Sequence, residues 1–76
     1  MITSAQCRAA RGLLSWTQAD LAKAACVGIV TVRQFEGENG TPRSATLTVL
    51  RQALEAAGVE FIPQNGGGAG VRMRQP

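Results

Sequence analysis

At 76 residues the chain has room for one hydrophobic core, because compact domains run upward from about 50 residues and two cores cannot share so short a sequence. Hydrophobic residues make up 45% and charged residues 17%, the balance of a chain that folds rather than of one that stays disordered. Histidine is absent, leaving two cysteines and five carboxylates as the only metal or acid–base groups; no nucleophile–base pair and no ligand cluster can be built from them, so no enzymatic activity, metal or cofactor is expected.

The formal net charge is +3, which points to a polyanionic partner. Arg8, Arg11, Lys23, Arg33 and Arg43 lie in residues 1–43 against Asp20, Glu36 and Glu38; Arg51 stands against Glu55 and Glu60; Arg72 and Arg74 close the chain. Cys7 and Cys26 form no C-x-x-C pair and sit in alanine-rich helical patterns, so both are expected to be reduced and buried. Met1-Ile2-Thr3-Ser4 leads into a polar segment without an apolar stretch, and no run reaches the length of a membrane span, so the expected setting is cytoplasmic, with no membrane partner. A core this small favours association with a second copy, and a homodimer is expected.

Cys7, Ala10 and Leu14 recur at helical spacing and predict a helix over about 4–14, capped by Ser4. Thr17 followed by Asp20 has the spacing of a capping box and opens a second helix, 17–25. Cys26-Val27-Gly28 breaks it, and residues 28–37 resume with Val32 and Phe35 three apart, although Ile29, Val30, Thr31 and Val32 taken alone favour a strand. Gly37 to Pro42 reads as a turn. Ser44 is placed as the cap of a fourth helix, 44–57, on the periodicity of Leu47, Leu50, Leu54 and Ala57, with Gly58 at its left-handed end.

Beyond Gly58 the pattern becomes β: Val59 to Ile62, then a glycine-rich loop, then Val71 to Arg74 alternating apolar and basic residues. The chain therefore divides into a helical domain, 1–58, and a C-terminal extension, 59–76. The extension is a β-hairpin or a single strand, with a plain tail as the alternative. An isolated hairpin is marginal in water, so Val59, Phe61, Ile62, Val71 and Met73 are expected to pair across a dimer.

Two helices joined by a tight break form the helix-turn-helix plan, whose second helix enters the DNA major groove. The run Arg11-Gly12-Leu13-Leu14-Ser15-Trp16-Thr17-Gln18-Ala19-Asp20-Leu21-Ala22, then Val27, then Thr31-Val32-Arg33-Gln34-Phe35-Glu36, then Thr41-Pro42 resembles the lambda-repressor/Cro-like (XRE-type) helix-turn-helix family over about residues 5–57. The resemblance implies a mainly α fold, four helices in all, and it makes 29–36 helical, since tertiary packing overrules a weak local propensity. It implies core roles for Leu14, Trp16, Leu21, Val32, Phe35, Leu47 and their apolar neighbours. Arg11 and Glu36 match a pair bridging the first and third helices and are expected to form a structural ion pair. Gln18 matches a phosphate-contacting position, beside the free N–H groups of a helix N-terminus.

The matched base-reading positions hold Gly28, Ile29, Val30 and Thr31, with Arg33 and Gln34 one turn further on, and they depart from the polar residues of many relatives. Ile29 and Val30 offer only apolar contact, as with a thymine methyl group, and leave polar readout to Gln34 and Arg33. Cys26 stands where many relatives have a left-handed glycine; Gly40 replaces a basic residue, and Arg43 partly compensates. Two functions compete on these residues. The first is a transcriptional regulator that binds operator DNA sequence-specifically as a homodimer through Thr17, Gln18, Lys23, Ile29, Val30, Thr31, Arg33, Gln34 and Arg43. The second is a protein-binding antiactivator, or an antitoxin-like partner, that docks on another transcription factor through the apolar start of the third helix.

Overall fold

A computed structural model describes residues 1–40, 42–64 and 66–74; Thr41 of the predicted turn and Asn65 of the predicted loop, with Gln75 and Pro76, lie outside the described residues. Helix α1 (Ser4–Leu14) is capped by Thr3 rather than by Ser4. The Thr3 hydroxyl accepts the Gln6 N–H at 3.0 Å and the Gln6 side chain accepts the Thr3 N–H at 2.9 Å, a reciprocal box that needs an amide or carboxylate side chain three residues after the cap, where Ser4 has Cys7. Helix α2 (Gln18–Ala25) starts on the same device, with Thr17 and Asp20 exchanging bonds of 2.9 and 3.0 Å.

Helix α3 (Ile29–Glu36) is helical despite its β-branched start, because Val32, Phe35 and Glu36 fall on one face and are buried there. Helix α4 (Ser44–Ala56) buries Leu47, Leu50 and Leu54. Its cap is Arg43 rather than Ser44: the first intrahelical bond runs from the Leu47 N–H to the Arg43 carbonyl at 3.1 Å, and no side chain closes that end. Gly58 follows with φ +110°, and a Cβ there would lie 3.2 Å from the Met73 side chain.

Strands β1 (Val59–Ile62) and β2 (Gly70–Met73) form an antiparallel hairpin in the register Val59 to Met73 and Phe61 to Val71. The hairpin needs something to pack on, and α1 and α4 of its own chain supply it; Val59, expected at a dimer seam, is fully buried in the common core. Gln6 explains why it can rest there. After its oxygen has capped α1, its amide nitrogen donates to the Gly70 carbonyl at 3.0 Å and the Ile62 carbonyl at 3.4 Å, clasping both strands at the loop end. Glu60 and Arg72 form a cross-strand ion pair at 2.8 Å on the solvent side.

The core joins all four helices to the hairpin through Cys7 and Ala10, Leu21, Val32, the three leucines of α4 and Val59, with Ile2 closing one end. Of the cysteines expected to be buried, Cys7 is and Cys26 is exposed. The correction has a local cause: Cys26 is the left-handed cap of α2, φ 57° and ψ 42°, where the chain leaves the helix. No helix among the described residues is long and apolar enough to cross a membrane.

Candidate nucleic-acid interface

The α2–α3 corner is built by its caps. Thr17 and Asp20 fix the start of α2; Cys26 ends it, sending its N–H back to the carbonyls of Ala22 and Lys23; Gly28 then takes the extended conformation that opens α3. Val27 packs half-buried against the core and holds the corner down. Helix α3 thus turns Val32, Phe35 and Glu36 inward and leaves Val30, Arg33 and Gln34 in solvent. Ile29, expected beside Val30 as an exposed contact, is instead half-buried against the core, because it lies three residues before Val32 on the inner face. Val30 remains 57% exposed.

Facing α3 is the start of α4. Thr31 and Gln34 line a groove of about 400 Å³ with Gly40, Pro42, Arg43 and Thr46. Neither α3 nor α4 has a side-chain cap or an acidic residue in its first turn, so among the described residues no side chain takes up the first backbone donors at either start, which carry a partial positive charge. Helix α2 differs, since the Asp20 carboxylate already occupies its first turn.

The eight basic residues divide sharply. Arg11, Arg51 and Arg72 pair with Glu36, Glu55 and Glu60, and Arg8 and Arg74 donate to the main-chain carbonyls of Glu36 and Glu55. Lys23, Arg33 and Arg43 form neither an ion pair nor a side-chain hydrogen bond among the described residues, and each is exposed. These three belong to the α2–α3 unit and the start of α4. In sequence the nearest acidic residues are Asp20 for Lys23, Glu36 for Arg33 and Glu38 for Arg43; the first is engaged in the α2 cap, the second is buried against Arg11, and Glu38 is left-handed at φ 59° just after α3.

Behind the exposed face, Glu36 anchors the end of α3. Its buried carboxylate accepts from Arg11 at 2.6 and 2.7 Å, from the Gln18 amide at 3.1 Å and from the Cys7 thiol at 3.1 Å. Burial works to raise the pKa of Glu36, and the bonds from Arg11, Cys7 and Gln18 overcome it, holding the carboxyl below its ordinary value. The Cys7 thiol is pushed up to about 12, first by burial and then by its bond to Glu36. Arg11 also donates to the Trp16 carbonyl at 3.0 Å, tying the α1–α2 link into the same cluster.

The predicted contact residues therefore have different places. Lys23, Val30, Arg33, Gln34 and Arg43 are exposed, and Thr31 is half-buried at the groove. Thr17 is engaged as a cap and Gln18 gives an amide hydrogen to Glu36. Of the residues predicted to pair across a dimer, Val59 is consumed by the core; Phe61, Ile62 and Val71 are half-buried and Met73 is 41% exposed. The Arg51 guanidinium covers the Phe61 ring at 5.6 Å. Sequence reasoning missed Cys7 and Gln18 as donors to Glu36; Cys7 lies four residues before Arg11, on the same face of α1, which was the available signal. Neither models of known protein families nor curated proteins match this chain.

Proposed function

We propose that this chain is a non-enzymatic, cytoplasmic DNA-binding regulator of the lambda-repressor/Cro-like kind, which places α3 in the major groove and acts as a homodimer. The observation that supports it is the division of the basic residues. Five are engaged within the fold, whereas Lys23 in the last turn of α2, Arg33 on α3 and Arg43 at the groove beside it form no ion pair among the described residues. Unpaired cations beside two uncapped helix starts suit a phosphate backbone, which contributes most of the affinity in such complexes. Gln34 and Val30, between the cations, are then positioned to read base edges.

The test is a salt titration of binding to duplex DNA. Arg33→Ala and Arg43→Ala should each weaken binding and reduce the log–log salt slope by about one. A protein that binds no duplex at about 50 mM salt would overturn the reading. The antiactivator reading has one observation in its favour, the exposed Val30 in the middle of α3, since exposed apolar side chains mark partner sites when they form larger patches. Under that reading Val30→Asp abolishes capture of another regulator, and Arg33→Ala and Arg43→Ala alter mainly the association rate.

A further inference from the structure

Val30 lies outside the hydrophobic core and the apolar residues packed against it. The inner face of α3 is already supplied by Ile29, Val32 and Phe35, while Val30 stands 57% exposed on the side that carries Arg33 and Gln34. The other large apolar side chains with comparable exposure are Met1, Leu13 and Met73, at the N-terminus, on α1 and on β2, so Val30 is the only one on this helix. Val30 and Gln34 are one helical turn apart, and side chains so spaced form a single ridge with about 6 Å between their Cβ atoms. Base pairs in B-DNA follow one another at roughly 3.4 Å. The ridge therefore spans about two base pairs.

On the major-groove edges, the apolar feature is the C5-methyl group of a pyrimidine, and the feature that matches a glutamine amide is the N6/N7 edge of adenine. Arg33 beside Val30 and Gln34 on α3 and Arg43 across the groove, neither in an ion pair among the described residues, give this face the charge that DNA complements and an apolar protein groove does not. Resting on the DNA-binding reading above, we propose that Val30 packs on the C5-methyl group of a pyrimidine in each half-site and that Gln34 bonds an adenine within two base pairs of it. Val30 is then a specificity-determining residue.

The experiment selects duplexes from a random pool at low salt and then removes single groups from the best one. Each thymine in turn is replaced by uracil, which deletes only the methyl group, and each adenine by 7-deazaadenine, which deletes N7. At one position per half-site the uracil probe should bind about three- to fourfold more weakly, the value of one buried methyl group. Val30→Ala, at an exposed site, should lower the affinity for the parent duplex by a similar factor and be indifferent to the uracil. The 7-deazaadenine loss, about fivefold or more, should vanish in Gln34→Ala. A further probe carries 5-methylcytosine in place of cytosine; tighter binding to it that depends on Val30 would identify methylated cytosine, rather than thymine, as the source of the methyl group. Selection with no methyl effect at any position, or a methyl effect that survives Val30→Ala, overturns this proposal and leaves the DNA reading standing. A pool that shows no enrichment overturns both.

Discussion

The Cys7 thiol donates to the Glu36 carboxylate across 3.1 Å of buried space, joining α1 to the last residue of α3. The sulfur is a proton donor in the resting fold, held protonated by burial and by the carboxylate it faces. The folded-state pKa, about 12, lies above the ordinary value of 9.0, so the proton contributes stability that is complete below about pH 9 and is lost as pH rises toward about 12. Urea midpoints across this range should fall for the native chain. Cys7→Ser, which keeps a donor that does not titrate there, should remove the part of the fall that Cys7 causes. A fall of the same size in Cys7→Ser would show that the thiol is not the titrating group.

Glu36 gives the opposite dependence at the acid end. Its pKa is lowered on folding, so its contribution is present above the ordinary glutamate value and is lost as pH falls through the folded one. Arg11→Ala leaves the buried carboxylate with only Gln18 and Cys7 as donors and should destabilise the fold by about 3 kcal/mol. Glu36→Gln should cost a comparable amount, because the partly buried guanidinium loses its counter-charge, and should flatten the acid limb of the stability curve. Melting in the absence of DNA is the measurement, and unchanged melting temperatures in both variants would place the pair in free solvent.

The four helices were legible because each carries its own start signal or apolar spacing, and Thr17 with Asp20 marked the cap of α2. What misled were signals with two physical readings. Ser4 and Ser44 are good capping residues placed one position too late, next to Thr3 with its Gln6 and to Arg43. Ile29 and Val30 look alike in sequence, and only the phase of α3 against the core turns one inward and leaves the other in solvent. The place of the hairpin depended on Gln6, and no local pattern connects that residue with Gly70, 64 positions away.

Two helices end on left-handed residues that are not glycine, Ser15 and Cys26, each with φ 57°, and Glu38, just beyond the Gly37 cap of α3, takes the same conformation at φ 59°. A side chain in this conformation costs roughly 1 kcal/mol or more relative to glycine. Cys26 is exposed and engages only its backbone in the α2 cap. Cys26→Gly should therefore stabilise the chain by about 1 kcal/mol, a rise of about 4–8 °C in Tm for a domain of this size. It should also remove the thiol that reacts quickly with a disulfide reagent, leaving Cys7 to react only on opening. A lower Tm would mean that chain freedom gained in the unfolded state outweighs the relieved strain.

Gln6 has three hydrogen-bond partners that no other side chain among the described residues serves: the Thr3 N–H and the carbonyls of Gly70 and Ile62. Gln6→Ala should cost about 1–3 kcal/mol, since it leaves part-buried backbone groups without that donor or acceptor. The loss should be local before it is global. Amide exchange should accelerate first at the loop end of the hairpin, around Ile62 and Gly70, while the centre of α4, where Leu50 and Leu54 are buried, keeps its protection. Gln6→Glu separates the two roles. Its carboxylate still accepts the Thr3 N–H and so keeps the cap, but it cannot donate to the strand carbonyls and should repel them. If the clasp is what holds the hairpin, Gln6→Glu should release it at least as much as Gln6→Ala while α1 keeps its first turn. Because Val59 belongs to the core, deleting residues 59–76 is a harsher change and should unfold the helices rather than yield a stable monomer. Uniform exchange across α4 and the hairpin in both Gln6 variants would show that the hairpin opens only when the whole chain does.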